Sequence, residues 1–161
     1  MTDSTEQAEA HRLITEALGD GASREYERRV VDLVFAATAA FGAGEKAAAG
    51  AMLAEHVNGA EDPDLASYHV CVAAALVTGH LLDGDMVRAS AAGEGGEVGS
   101  LLSLAVQLVN SASVDDETTM ALILDVIWHV DRGDIHQLAA MLLALRAEVV
   151  DLDEGGDRDD A

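Results

Sequence analysis

The sequence predicts an all-α fold, either a helical hairpin array or an orthogonal bundle of about seven to eight helices. Three observations lead there. Apolar residues recur at three- and four-residue spacing, Ala-rich runs such as Ala47 to Ala49 and Ala73 to Ala75 favour helix, and 161 residues hold a single Pro. No window alternates like a half-buried strand, and the β-branched residues sit inside helical patterns. The length suits one domain, which at this size buries roughly 70% of the unfolded chain's surface.

The elements follow in order from start and stop signals. A first short helix is expected from Ser4 to Leu18, ended by Gly19-Asp20-Gly21, and a second from Ser23 or Arg24 to Phe41. Glu45 to Val57 forms the third, stopped by Asn58-Gly59. Asp62-Pro63-Asp64 opens the fourth, with Pro where a first helical turn accepts it, and it runs to Leu82. A broken segment from Asp85 and a Gly-rich loop over Gly93 to Gly99 come next. Ser100 to Asn110, Asp115 to Asp131 and Asp134 to Val150 complete the set. Residues 151–161, almost devoid of apolar side chains, read as an acidic disordered tail behind a single domain over 1–150.

Internal repetition is the most informative pattern. Gly44-Glu45, Gly84-Asp85 and Gly133-Asp134 each pair a helix-ending Gly with an acid suited to the next helix's positive end. Three, seven and ten residues before each Gly stand Phe41, Ala37 and Val34; Leu81, Val77 and Ala74; and Val130, Val126 and Ile123. All are apolar, so Leu81 and Val126 are both expected in one buried stripe. Met52 and Met141 lie eight residues past the first and third turns, and Leu101 matches them after an insertion near Ala91 to Gly99. Three hairpins of about 40 residues result, at about 24–58, 64–110 and 115–150. Such hairpins resemble the tetratricopeptide and HEAT-like classes, in which each unit buries its face on its neighbour. The Trp, Tyr and Pro positions of the tetratricopeptide pattern are absent, and no family residues carry over.

Charge narrows the function classes. Thirty acids against nine bases leave a net charge of −21, and Lys46 is the only lysine, so direct nucleic-acid or anionic-membrane binding is disfavoured. The excess is spread along the chain like a coat. Val70 to Leu82 is the longest apolar run, too short to span a bilayer, and the polar, acidic N-terminus is unlike a secretory signal. A cytoplasmic protein is expected. Cys71 stands alone in an apolar run, which excludes an internal disulfide and reads as core.

Candidate chemistry is sparse. His80 and His129 share a repeat position four residues before a turn Gly, and each is followed by acids. They are weak metal-ligand candidates, set against the simpler role of a last-turn His facing its helix's free carbonyls. The loop Gly93-Glu-Gly-Gly-Glu-Val-Gly99 has acids and no base, so it would repel phosphate. No catalytic motif and no cofactor fingerprint emerges. Arg24, Arg28 and Arg29 form the one basic cluster and, with Trp128, are the interaction candidates. The expected function is therefore a non-catalytic helical interaction protein, adaptor or regulator, with a protein partner and a homodimer through an end helix as a further option. The alternative is an acidic nucleic-acid-mimicking inhibitor of a basic protein, with a small His-based metal protein or enzyme behind both.

Overall fold

The computed structural model describes residue 12 and residues 24–82, 84–85, 97–130 and 134–159. Among them stand six helices and no strand: α1 (Arg24–Gly42), α2 (Lys46–Asn58), α3 (Pro63–Leu82), α4 (Glu97–Ser113), α5 (Glu117–Val130) and α6 (Asp134–Asp159). The all-α class is thus observed. The helix expected over Ser4–Leu18, most of the inserted loop, and the turn Gly133 lie outside the described residues.

α3 forms the centre. Its sequence is apolar nearly all round, and it packs on α6, α4, α1 and α2. Val70, Ala73, Ala74 and Ala75 are wholly buried. By length and composition this helix would also pass for a membrane span, a signal that a core helix buried against its neighbours gives equally. The helix keeps the expected bounds, Pro63–Leu82, but its apolar character extends beyond the run Val70 to Leu82, which alone is too short to span a bilayer. A methyl group on Gly79 would come within 2.5 Å of the Ala112 Cβ and 2.7 Å of its backbone, so α3 and α4 meet at a distance only glycine permits.

The other helices bury one stripe each. α1 turns in Val30, Val31, Val34 and Ala37; α2 only Ala49, Leu53 and Val57; α6 Ile135, Leu138, Ala139, Leu142 and Leu143. α5 buries Met120, Ile123, Leu124 and Ile127, which puts Leu122 and Val126 on its opposite side. Val126 is accordingly exposed, against its expected place in the repeated stripe, whereas its counterparts Ala37 and Val77 are buried. The cause is packing. α6 lies across α3 and α1 and touches α5 only lightly, so the third pair of helices does not close on itself as the first does.

Two turns share one backbone device. After α1, Gly44 takes φ +80, its N–H donates to the Phe41 carbonyl (3.1 Å), and the Glu45 N–H donates to that of Ala40 (2.8 Å). After α4, Asp115 takes φ 56, its N–H donates to Ala112 (3.3 Å), and the Asp116 N–H donates to Ser111 (2.9 Å). Asp tolerates the left-handed region better than most residues, so no glycine was needed to close α4. Gly84 also has positive φ; its N–H donates to the Ser113 hydroxyl (2.8 Å), which in turn donates to the Asp85 carbonyl (2.7 Å).

Helix starts differ from expectation, α4 beginning at Glu97, inside the expected loop over Gly93 to Gly99, and α5 at Glu117 rather than Asp115. The Glu45 side chain makes no cap bond to α2. Asp62 does cap α3, accepting from the Leu65 N–H (3.2 Å), and Asp116 caps α5, accepting from both the N–H and the hydroxyl of Thr119 (3.1 and 2.6 Å). Those bonds hold the Asp116 carboxyl below the usual carboxylate range. At the far end, α6 continues through residues 151–159, where the sequence suggests a disordered tail. An established helix adds residues at little cost, whereas an isolated acidic segment must first nucleate one.

Candidate functional site

Three helices and one turn enclose an open groove of about 1200 Å³. Each helix contributes residues at helical spacing. α1 supplies Tyr26, Arg29 and Leu33, α2 supplies Met52, Glu55 and His56, and α3 supplies Leu65 and His69. Glu61 and Asp62 complete the wall from the turn before α3. The surface is mixed: apolar Met52 (36% exposed) and Leu65 (39%) stand beside exposed carboxylates and the Arg29 guanidinium.

Tyr26 is the hub. Its hydroxyl lies 2.7 Å from His69 Nδ1, with the rings edge to face at 5.4 Å. His56 lies on another side of the phenol, ring centroids 6.0 Å apart, and the Arg29 guanidinium sits 6.0 Å from the same ring centre. The file of rings continues from His69 to Tyr68 (6.2 Å) and from Tyr68 to Trp128 (5.2 Å), joining the groove to α5.

Burial sets the charge states. It pushes both His56 and His69 below the ordinary histidine value; Arg29 pushes His56 further down, and His56 does the same to His69, against an upward pull from Asp62. Burial also raises the Tyr26 phenol, against the Arg29 charge. At neutral pH the phenol is therefore protonated and donates to an uncharged His69. His56 Nε2 is shut off from solvent without a hydrogen-bond partner, a cost left in the groove. Among the described residues no Ser, Thr or Cys lines this surface. The groove thus combines one phenol, two neutral imidazoles, partly exposed apolar side chains and an acidic rim.

A second constellation lies on the other side of α3. The Ser67 hydroxyl is 2.6 Å from His136 Nδ1, and His136 Nε2 is 3.0 Å from Asp64 Oδ1. The carboxylate can only accept, so Nε2 donates to it, and Nδ1 shares the second bond with the Ser67 hydroxyl. A hydroxyl, imidazole and carboxylate in line resemble a nucleophilic triad, but Ser67 has no exposed surface for a substrate to reach. The relay braces the first turn of α6 against the first turn of α3.

The residues singled out from the sequence are scattered. Arg29 lines the groove, while Arg24 and Arg28 are exposed on α1 outside its lining. Trp128 is half-buried at the end of the ring file. His80 is exposed at the end of α3, and His129 is satisfied within its own helix, its Nδ1 lying 2.9 Å from the Asp125 carbonyl and 3.2 Å from that side chain's Oδ1. Among the described residues no three His, Cys, Asp or Glu side chains are placed to hold a metal ion. Cys71 is buried, its thiol pushed up by desolvation and directed at the Ile135 carbonyl (3.7 Å).

Tyr26, His56, His69 and His136 were not distinguished by sequence. One signal was available: Asp64 and Ser67 are three residues apart, and Tyr26 stands three before Arg29, spacings that set each pair on one helix face. No family model, no curated protein and no solved structure matches this chain.

Proposed function

We propose that the chain is a non-catalytic interaction protein, an adaptor or regulator, that seats a polypeptide segment of a partner in the groove between α1, α2 and α3. One observation carries this reading: the groove is wide open, larger than pockets that enclose small ligands, and keeps Met52 and Leu65 partly exposed at its wall. Apolar side chains that could be sealed cheaply but stand beside polar hydrogen-bonding groups are the usual make-up of a contact surface. The degenerate hairpin array belongs to this proposal as its architectural background. Its support is the pair of left-handed glycines, Gly44 and Gly84, while the packing of α1 on α6 favours closure into a bundle.

A photo-crosslinking residue placed at Met52 or Leu65 tests the reading in native cells, with Ala47 on the exposed far side of α2 as control. Discrete adducts from the two groove positions, absent from Ala47, are expected. No adduct from the groove, or the same adducts from all three positions, overturns it.

A further inference from the structure

We propose that the occupant of this groove is a basic, amphipathic segment of a partner protein, an inference that rests on the groove being an interaction surface. The sign of its rim carries the argument. Asp32, Glu55, Glu61 and Asp62 are all exposed around it, against one cation among the described residues, Arg29, which is already drawn over the Tyr26 ring. The two imidazoles add no positive charge, since burial keeps both neutral at pH 7. Met52 and Leu65 offer the apolar contact that a purely ionic surface lacks.

A segment with Lys or Arg on one side and Leu- or Met-like side chains on the other meets both demands at once. Its cations face the rim carboxylates while its apolar side enters between Met52 and Leu65. The net charge of −21 draws such a segment in from a distance and repels an anionic one. Charge alone, however, would hold a cation anywhere on this coat. The groove is distinguished by apolar contact at the site of the acids, and the experiment must separate the two.

The full chain is titrated into two fluorescein-labelled model peptides of about 18 residues in roughly 0.15 M salt. One is a Leu/Lys amphipathic sequence, the other its Leu/Glu counterpart, and anisotropy reports binding. The Leu/Lys peptide is expected to bind and the Leu/Glu peptide not. Met52→Ser with Leu65→Ser, which leaves charge unchanged, should weaken binding about tenfold or more. Asp32→Asn with Glu61→Gln should weaken it several-fold, while Glu117→Gln with Glu148→Gln, equal in charge but outside the groove, should change it less than twofold. Equal losses from the two acid pairs, or none from the serine pair, assign binding to the charge coat and overturn the proposal. A Leu/Glu peptide that binds and is lost with the serine pair would leave the groove an interaction surface with the wrong occupant assigned. If neither peptide binds and Met52 yields no crosslinks, both readings fall.

Discussion

Two hydroxyl–imidazole pairs meet α3 only two residues apart, Ser67 with His136 and Tyr26 with His69, at nearly equal distances of 2.6 and 2.7 Å. Their hydroxyls differ in access: Ser67 has no exposed surface, while Tyr26 is half-buried at the groove. The first is overlaid by α6, whose neighbouring Ile135 and Leu138 have no exposed surface. The second opens on a groove with exposed side chains on three sides. Bond geometry is therefore a poor guide to accessibility, since in the triad-like pair the hydroxyl is sealed while His136 and Asp64 keep 39% and 36% of their side-chain surface exposed. Access decides, and it is set by how α2 and α6 cover α3 unequally.

The comparison breaks most clearly in stability. On the sealed side, Leu142→Ala should cost about 3 kcal/mol by leaving a cavity, and Gly79→Ala a similar amount by forcing α3 from α4. Leu65→Ser on the groove side should stay within about 0.5 kcal/mol. Urea unfolding midpoints compare the three directly, and a groove variant as costly as Leu142→Ala would erase the distinction.

His136→Ala comes next, at about 1–2 kcal/mol, because it leaves the buried Ser67 hydroxyl without its acceptor. Adding Ser67→Ala should recover part of the loss, which a double-mutant cycle in the same unfolding assay detects. Strict additivity would show that the relay is not a brace.

His56→Leu should act in the opposite direction, stabilising by about 1 kcal/mol, since it removes a nitrogen buried without a partner. The pH dependence sharpens this. Burial depresses the folded-state His56 and His69 below the ordinary 6.5, so the unfolded chain takes up protons first as the solution is acidified. The resulting penalty is absent well above pH 6.5, grows as the pH falls through it, and levels off once the folded imidazoles also protonate. Thermal melts at pH 7.5 and 5.5 should differ less in His56→Leu than in the parent. Smallest of all, Leu122→Gln with Val126→Gln should move stability by less than about 0.5 kcal/mol, both side chains being exposed on α5. A large loss in the same melts would mean that face is covered.

Much of the helical order was legible in the sequence, and most of the site was not. Ala-rich runs, Asp62-Pro63 and the glycines at 44 and 84 mark local events, and local rules find them. The end of α4 escaped because Asp115 occupies a conformation usually taken by glycine. Val126 was misplaced because a stripe shared by repeat position says nothing about which neighbour covers it, and α6 left α5 for α3. His80 and His129 drew notice by matching positions in a repeat, whereas His56 and His69 share no spacing at all. They come together only because α1 carries Tyr26 between them. Acidic composition admitted a basic protein as one alternative partner, but which acids stand beside exposed apolar side chains depends on how three helices assemble.

The dependence of α3 on α6 also has a temporal side. During synthesis, roughly fifty residues separate the completion of α3 from the start of the helix that covers it most, which at about 5–20 residues per second means several seconds of waiting. Until then this long apolar helix has α1, α2 and, once residue 113 is made, α4 beside it, but not the helix that covers it most. A nascent chain stalled before Asp134 would present a sticky helix to its neighbours, and holding factors that bind apolar segments should engage it there.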